Sequence, residues 1–350
     1  MVMSWKVLSG GLAMALVSTL GVVLGVVLIG GSATGSGSPS PPIGAGASGK
    51  RVIHTIGGCE IFPEDNWWNT NIKDRPVAKR SKRIIAAQLA GHEIHLDLGT
   101  TEEYYGIPIN IVPEDQPTLP LKFGVDGEDY RDESDRGPVA IAPGARIEGW
   151  STADPDPSSG DRHVIVVQRG TCQLTELYAA ERIRDDTGAV VAWRAAAAAR
   201  WDLSSNKLRP KYWTSADAAG LPILPGLLTY AEAASGRITH ALRFTLPRAR
   251  AAFIKPARHC GPNRGQQYPA YGTRFRLRKG FDATRYRGPA LAIVKAMKRY
   301  GLMYADQGSA MYVTGAADPR WAGTLDQLRR KPIDGKHFRV VKSGKATLCR

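Results

Sequence analysis

At 350 residues the chain has room for one large domain or two ordinary ones, so a sizeable core is within reach. An apolar content of 43% is ordinary for a globular protein, and 38 Gly with 23 Pro argue against a helical bundle and for a loop-rich β architecture. The net charge of +15 suits contact with anionic polymers such as teichoic or uronic polysaccharide, with anionic lipid headgroups or with nucleic acid; no nucleic-acid motif supports the last of these.

Residues 7–30 form an uncharged apolar run behind Lys6, long enough to cross a bilayer of about 30 Å. This predicts a signal peptide or membrane anchor over residues 1–31. Gly31-Ser32-Ala33 offers a small-residue cleavage site, while the length of the run favours an uncleaved transmembrane helix. Residues 32–49 are a Gly/Ser/Pro linker unable to bury apolar surface, and the folded region is expected as a single extracytoplasmic β-rich domain over residues 50–350. The expected fold is a β-sandwich or jelly-roll-like body with a few short helices. Export places the protein outside the cytoplasm, secreted or membrane-anchored, and makes four cysteines a disulfide set. Because chain termini tend to lie close together, the expected pairing is Cys59–Cys349 and Cys172–Cys260.

IFPEDNWWN, residues 61–69, puts two tryptophans side by side. Adjacent strand residues point to opposite faces, so one is core and Trp67 is left as a candidate sugar platform. Residues 79–90 read as a helix with Ile84, Ile85 and Leu89 on one face and Gly91 as its stop. GHEIH, with His92 and His95, has neither the spacing nor the helix of a zinc motif, and no Cys/His pattern supplies one; no metal and no cofactor are expected. DGEDYRDESD, residues 126–135, lacks the register of a calcium loop and reads as a solvated acidic segment.

Residues 162–168 and 172–178 read as a β-hairpin around Gly170. A two-residue turn at Gly170-Thr171 sets Glu176 opposite Ile165 and diagonal to His163, an acid/base arrangement; a three-residue loop would move Glu176 to the face of Arg162 as an ion pair. The alanine-rich run 190–200 has helical propensity, but Trp193 and Trp201 around it suggest a packed bend or strand pair. In residues 201–247, Ser215 caps a short turn over 216–219, LPILPG is a proline-braced connector, and Thr229-x-x-Glu232 is a capping box. Strand 238–245 follows, with His240 on its apolar face and Arg243 on its polar face, where a planar fork could grip a carboxylate.

His259 stands beside Cys260 in KPARHC. Arg274, Arg276 and Arg278 alternate with Phe275 and Leu277, which predicts an exposed arginine stripe. Residues 289–300 form a helix ending at Gly301, residues 302–305 and 310–314 a hairpin with Asp306 as a turn-former, Thr324-x-x-Gln327 a capping box, and residues 337–341 a closing strand.

IFPEDNWWN, DRHVIVV, TELY, LRPKYWTSADAAGLPILPGLLTY, ITHALRFT, PARH and YGLMYADQGSAMYVTG together resemble a family of uncharacterised exported bacterial β-rich proteins. The resemblance spans nearly all of residues 59–341 and implies one domain; it carries no catalytic residue with it. Two functions follow as expectations. One is a carbohydrate-active enzyme, either a glycoside hydrolase or a polysaccharide lyase on anionic polysaccharide. A hydrolase would draw its carboxylates from Asp161, Glu176, Asp217 and Asp306. A lyase would set Arg243 on a uronate carboxylate, with His163, His259 and Tyr178 for proton transfer. Trp67, Tyr178, Asp217, Arg274 and Arg276 are the expected substrate contacts. The other is a non-catalytic, membrane-tethered envelope protein that binds cell-wall polymer or a protein partner.

Overall fold

Strand Val164–Gln168 is apolar at four consecutive positions, the pattern of a strand buried on both faces. In the computed structural model, which describes residues 54–99, 105–321 and 325–349, this strand lies inside a four-stranded sheet. The anchor, the linker and Thr324 of the last capping box lie outside the described residues. Antiparallel strand Gln173–Tyr178 pairs in the register set by the two-residue turn, with Ile165 opposite Glu176. Gly170 takes φ +73°, and a Cβ there would collide with the Glu114 carboxyl. Strand Ala197–Asp202 flanks one side and Ile109–Val112, parallel, the other.

Alternation sends the side chains of this sheet into two cores. Ile165, Val167, Leu174 and Ala199 join the larger one with Phe244, Phe275 and Met297. Val164, Val166, Leu177 and Ala198 join a smaller one with Ile141 and Trp193. The smaller core reaches a three-stranded sheet of Leu121–Phe123, Val190–Ala195 and Glu181–Arg184. The alanine-rich run is therefore two strands, Val190–Ala195 and Ala197–Asp202, joined at Ala196. Burial of Trp193 and Trp201 overrides the helical preference of alanine.

A six-stranded sheet has the order Phe338–Val340, Arg274–Leu277, Leu302–Gln307, Leu242–Leu246, Tyr312–Thr314, His95–Asp97. Its central strand, Leu242–Leu246, is buried at every residue. That strand inserts between Leu302–Gln307, to which it is parallel, and Tyr312–Thr314, to which it is antiparallel. The hairpin expected over 302–314 is thus split, because strand Leu242–Leu246, buried at every residue, takes the place between its arms. Four strand pairs among the described residues are parallel, whereas a jelly roll is antiparallel throughout. Helices are few: Ser81–Gln88, Tyr230–Ala234, Gly288–Arg299 and Leu325–Arg330. Helix Gly288–Arg299 buries Ile293, Val294 and Met297, as its periodicity predicts. No helix among the described residues is long and apolar enough to cross a membrane.

Both disulfides form, with other partners than expected: Cys59–Cys172 and Cys260–Cys349. Cys172 sits at the end of the hairpin turn, where Cys59 of strand Cys59–Glu60 meets it at a Cα separation of 5.4 Å. At the other end of the chain, strand Thr347–Leu348 pairs with Ala252–Phe253 and the Cys349 N–H bonds the Ala251 carbonyl, which delivers Cys349 to Cys260. Local strand pairing, not proximity of the termini, decides the connectivity. Two disulfides fit an oxidising, extracytoplasmic setting.

Candidate functional site: a carboxyl cluster between two sheets

Four neighbouring strands of the six-stranded sheet place polar residues on the same face. Asp97 pairs with Thr314, Val313 pairs with Phe244, and Asp306 pairs with Thr245. Alternation then aligns Asp97, Thr314, Arg243 and Asp306 across the sheet. Arg243 is on the polar face, as its strand position predicts, but that face is covered: the residue is 5% exposed. Its Nε and Nη2 donate to the two oxygens of Asp217 at 2.9 and 3.0 Å, Nη1 donates to Thr314 Oγ1 at 2.5 Å, and Nη2 lies 3.5 Å from Asp306 Oδ2. Burial opposes the charge, but Asp217 and then Asp306 outweigh it and hold the guanidinium protonated. An arginine closed in this way has no fork left for a uronate.

Asp217 is fully buried, held in the turn that Ser215 closes by accepting the Asp217 N–H and donating to the Leu221 carbonyl. Its role is to seat Arg243 and to press on Asp306. The Asp306 side chain is 22% exposed and accepts N–H bonds from Ala218 and Gln307. Burial, reinforced by the neighbouring Asp217 carboxylate, pushes the Asp306 carboxyl well above its usual range despite Arg243. Instead of forming a tip, the expected turn-former ends a buried strand.

The four-stranded sheet supplies the opposite wall. His163 is buried, with Nδ1 2.6 Å from Glu148 Oε2 and Nε2 3.0 Å from the Ala216 carbonyl. Burial alone would lower its pKa; Glu148 and Asp161 overturn that and lift it to about 9, so the ring is an imidazolium donating from both nitrogens. Asp161, two residues earlier, is solvent-exposed and still raised, by the surrounding protein first and by Glu148 second, with His163 opposing. Asp97 is lifted to about 6 by burial and then Glu148. Tyr178 is half-buried, packs its ring 5.7 Å from His163, and bonds Glu128, which with burial and Asp161 raises its phenol.

Glu176 is the expected acid/base residue that the structure removes from the chemistry. It is fully buried, and its oxygens accept the N–H groups of Ile223 at 3.0 and 2.9 Å and Leu224 at 2.9 Å. This holds the 3-10 turn Leu224–Gly226 inside LPILPG and explains why Leu224, although it precedes Pro225, is not extended. Burial lifts Glu176 to about 7 against those hydrogen bonds. His259 borders the cluster, with Nδ1 donating to the Ala218 carbonyl at 2.9 Å and Nε2 3.6 Å from Glu133.

Of the expected arginine stripe only Arg278, just past the strand, is exposed. Arg274 and Arg276 are each 4% exposed; Arg274 donates to the carbonyls of Trp67 and Tyr300 and Arg276 to that of Ile72. Helix Gly288–Arg299 and the 61–72 loop cover that face of the strand, so the two guanidinium groups serve as caps for backbone carbonyls. Trp68 is core and Trp67 half-buried, with its carbonyl on Arg274. The acidic segment 126–135 is neutralised by arginines: Asp126 by Arg162, Asp129 by Arg131, Asp132 by Arg136 and Asp135 by Arg209.

Asp161, His163, Tyr178, Asp217, Arg243 and Asp306 therefore meet in one place, joined by Glu148 and Asp97, which no motif in the sequence marks. The one available signal for Asp97 is a charged residue inside the alternating strand HLDL; for Glu148 there is none. Five carboxyls face one guanidinium and one imidazolium, the crowding that forces some to retain protons. No known protein family, curated protein or solved structure matches this chain.

Proposed function

We infer that this is an extracytoplasmic carbohydrate-active enzyme, a sandwich-like β body carried by an N-terminal signal or anchor, that hydrolyses glycosidic bonds. The observation that carries the reading is Asp306, a partly exposed carboxyl that burial and Asp217 raise well above its usual range beside ionisable partners. Glycoside hydrolysis needs such an acid together with a second carboxylate. Asp306 gives its proton to the glycosidic oxygen; Asp161, the solvent-exposed carboxylate of the group, takes one from the attacking water. The Glu148–His163 ion pair fixes the wall behind Asp161. The excess of carboxyls suits a neutral or cationic glycan in the crevice better than a uronate, and the engaged Arg243 speaks for hydrolysis over β-elimination. The test is a glycan panel incubated with the full chain, with detection of new reducing ends and of ultraviolet-absorbing unsaturated products. Reducing ends without unsaturation are expected, and Asp306→Asn should lower kcat about 10²–10⁴-fold with the fold intact. Unsaturated products, or full activity in that variant, would sink the assignment.

A second reading, the tethered envelope protein that binds anionic polymer, is favoured by a separate feature. A groove of about 430 Å³ is lined by Lys79, Arg80, Arg250, Tyr268 and Lys342, with no carboxylate in its walls. Burial and the nearby Arg80 depress the Arg250 pKa, as crowded like charges do. Retention of teichoic or uronic polymer that falls with salt and is lost in Lys79→Glu/Arg250→Glu would support it; retention unchanged in that double variant would refute it.

A further inference from the structure

A second polar cluster stands apart from the carboxyl crevice and takes no part in the proposed hydrolysis. It joins His54, the first described residue, to Glu232 of helix Tyr230–Ala234 and to His240, which precedes strand Leu242–Leu246. His54 and His240 are 6% and 1% exposed, and the Glu232 side chain is 12% exposed. Both imidazoles aim Nε2 at the same carboxylate: His54 Nε2 lies 3.2 Å from Glu232 Oε2, and His240 Nε2 lies 3.2 Å from Oε1 and 3.3 Å from Oε2. One ligand atom from each of the three residues lies within 4.8 Å of the others.

The hydrogen-bond chemistry leaves this centre short of a positive charge. His240 Nδ1 is 2.8 Å from the Ala241 carbonyl, which can only accept, so Nδ1 carries a proton, and what stands between Nε2 and the carboxylate is either a second ring proton or a cation. The separations fit a metal. Donors on a tetrahedral zinc with bonds of about 2.0–2.2 Å are about 3.3–3.6 Å apart, close to the two imidazole–carboxylate separations of 3.2 Å. The outer contacts are those that fix ligands: His240 Nδ1–H is held by a backbone carbonyl, and Thr229 Oγ1 donates to Glu232 Oε2 at 2.7 Å.

We propose that His54, Glu232 and His240 bind a divalent transition metal of the zinc type, with water completing the tetrahedron, and that this ion fastens the segment at His54 to the segment leading into strand Leu242–Leu246. Two imidazoles and one carboxylate are ordinary zinc donors, and a metal without redox chemistry suits an oxidising compartment. The ion lies under the surface, so its role is to hold the fold.

The full chain, produced with zinc in the medium and freed of loose metal, should carry about one zinc per molecule. His54→Ala and His240→Ala should each fall below about a tenth of that, with circular dichroism unchanged, and stripping the wild type with a chelator should lower Tm until zinc is returned. Wild-type chain that holds no zinc and gains no Tm on zinc addition would overturn the proposal, leaving a protonated imidazole–carboxylate pair. Zinc retained in both variants would overturn it equally. Should the variants fail to fold, X-ray absorption of the zinc-loaded wild type decides: a shell of two imidazoles with oxygen supports the site, and any other shell refutes it.

Discussion

Replacing Glu148 by Gln and comparing stability across pH tests the electrostatic wall of the crevice directly. In the folded protein His163 titrates at about 9 against a usual 6.5, because Glu148 and Asp161 overcome the burial that would lower it. A raised histidine contributes stability that is whole below pH 6.5 and is lost as pH climbs through 9. At 1.36 kcal/mol per unit, that contribution is about 3 kcal/mol. In Glu148→Gln, burial, the largest influence on the ring, outweighs what Asp161 still adds, so the raised pKa and its contribution are lost. Urea denaturation should therefore place the variant about 3 kcal/mol below wild type at pH 6.5, with the two curves converging by pH 9.5. The imidazole signals of His163 in NMR should titrate near 9 in the wild type and below 6.5 in the variant. Parallel stability curves, or a wild-type ring titrating near 6.5, would refute the ion pair.

Other consequences follow from backbone and packing. Removing the Cys59–Cys172 bridge by Cys59→Ala/Cys172→Ala opens a loop with a sequence separation of 113, which chain entropy values at about 5 kcal/mol; thermal or urea unfolding of the double variant reads the loss, and a change under about 1 kcal/mol would contradict that pairing. At Gly226 an added Cβ would lie 2.6 Å from the Trp68 ring and 2.7 Å from Arg243 Cβ, so Gly226→Ala should cost about 1–3 kcal/mol and reduce activity through the displaced arginine. Asp217→Asn removes the carboxylate that both raises Asp306 and pairs Arg243. The alkaline limb of the pH–rate profile, set by loss of the Asp306 proton, should move to lower pH, and the variant should be destabilised by about 3–5 kcal/mol as a buried guanidinium loses its partner.

The hairpin register is legible in the sequence because one glycine at the turn and a strict alternation agree, and together they fix which residue faces which. The place of Arg243 on a polar face is legible for the same reason. What covers that face is not, since the turn bearing Asp217 and the strand bearing Asp306 come from 26 residues before and 63 residues after it. Arg274 and Arg276 show the opposite limit: period-two alternation gives their face, but only tertiary packing shows that carbonyls of Trp67, Ile72 and Tyr300 take up the charges. The central strand and the disulfide pairing turn on which segments insert between others, and no local pattern in 302–314 or around Cys349 encodes that. Glu232 illustrates a residue with two meanings. Its capping-box role is readable and present, while its service to His54 and His240 depends on partners far along the chain.

The charge distribution ties the crevice to the exterior. The chain has 47 Lys and Arg against 32 Asp and Glu, and several of those acids are withdrawn from the surface: Glu176 and Asp217 are fully buried, Glu232 is nearly so, and Asp306 and Glu148 are largely covered. Some buried arginines are withdrawn as well, but Lys79, Arg80 and Lys342 around the basic groove remain exposed. The molecule thus combines a cationic exterior with an acidic cluster between two sheets. On the proposed function, a surface of that sign would concentrate the protein on an anionic envelope, where attraction falls with salt, while a cluster of the opposite sign would favour a neutral or cationic sugar chain. Retention on the envelope and turnover in the crevice are then separable. Charge reversal at Lys79 and Arg250 should weaken retention without changing kcat on a soluble glycan, and Asp306→Asn should do the reverse. A variant set in which both properties always fell together would mean that the groove and the crevice form a single site.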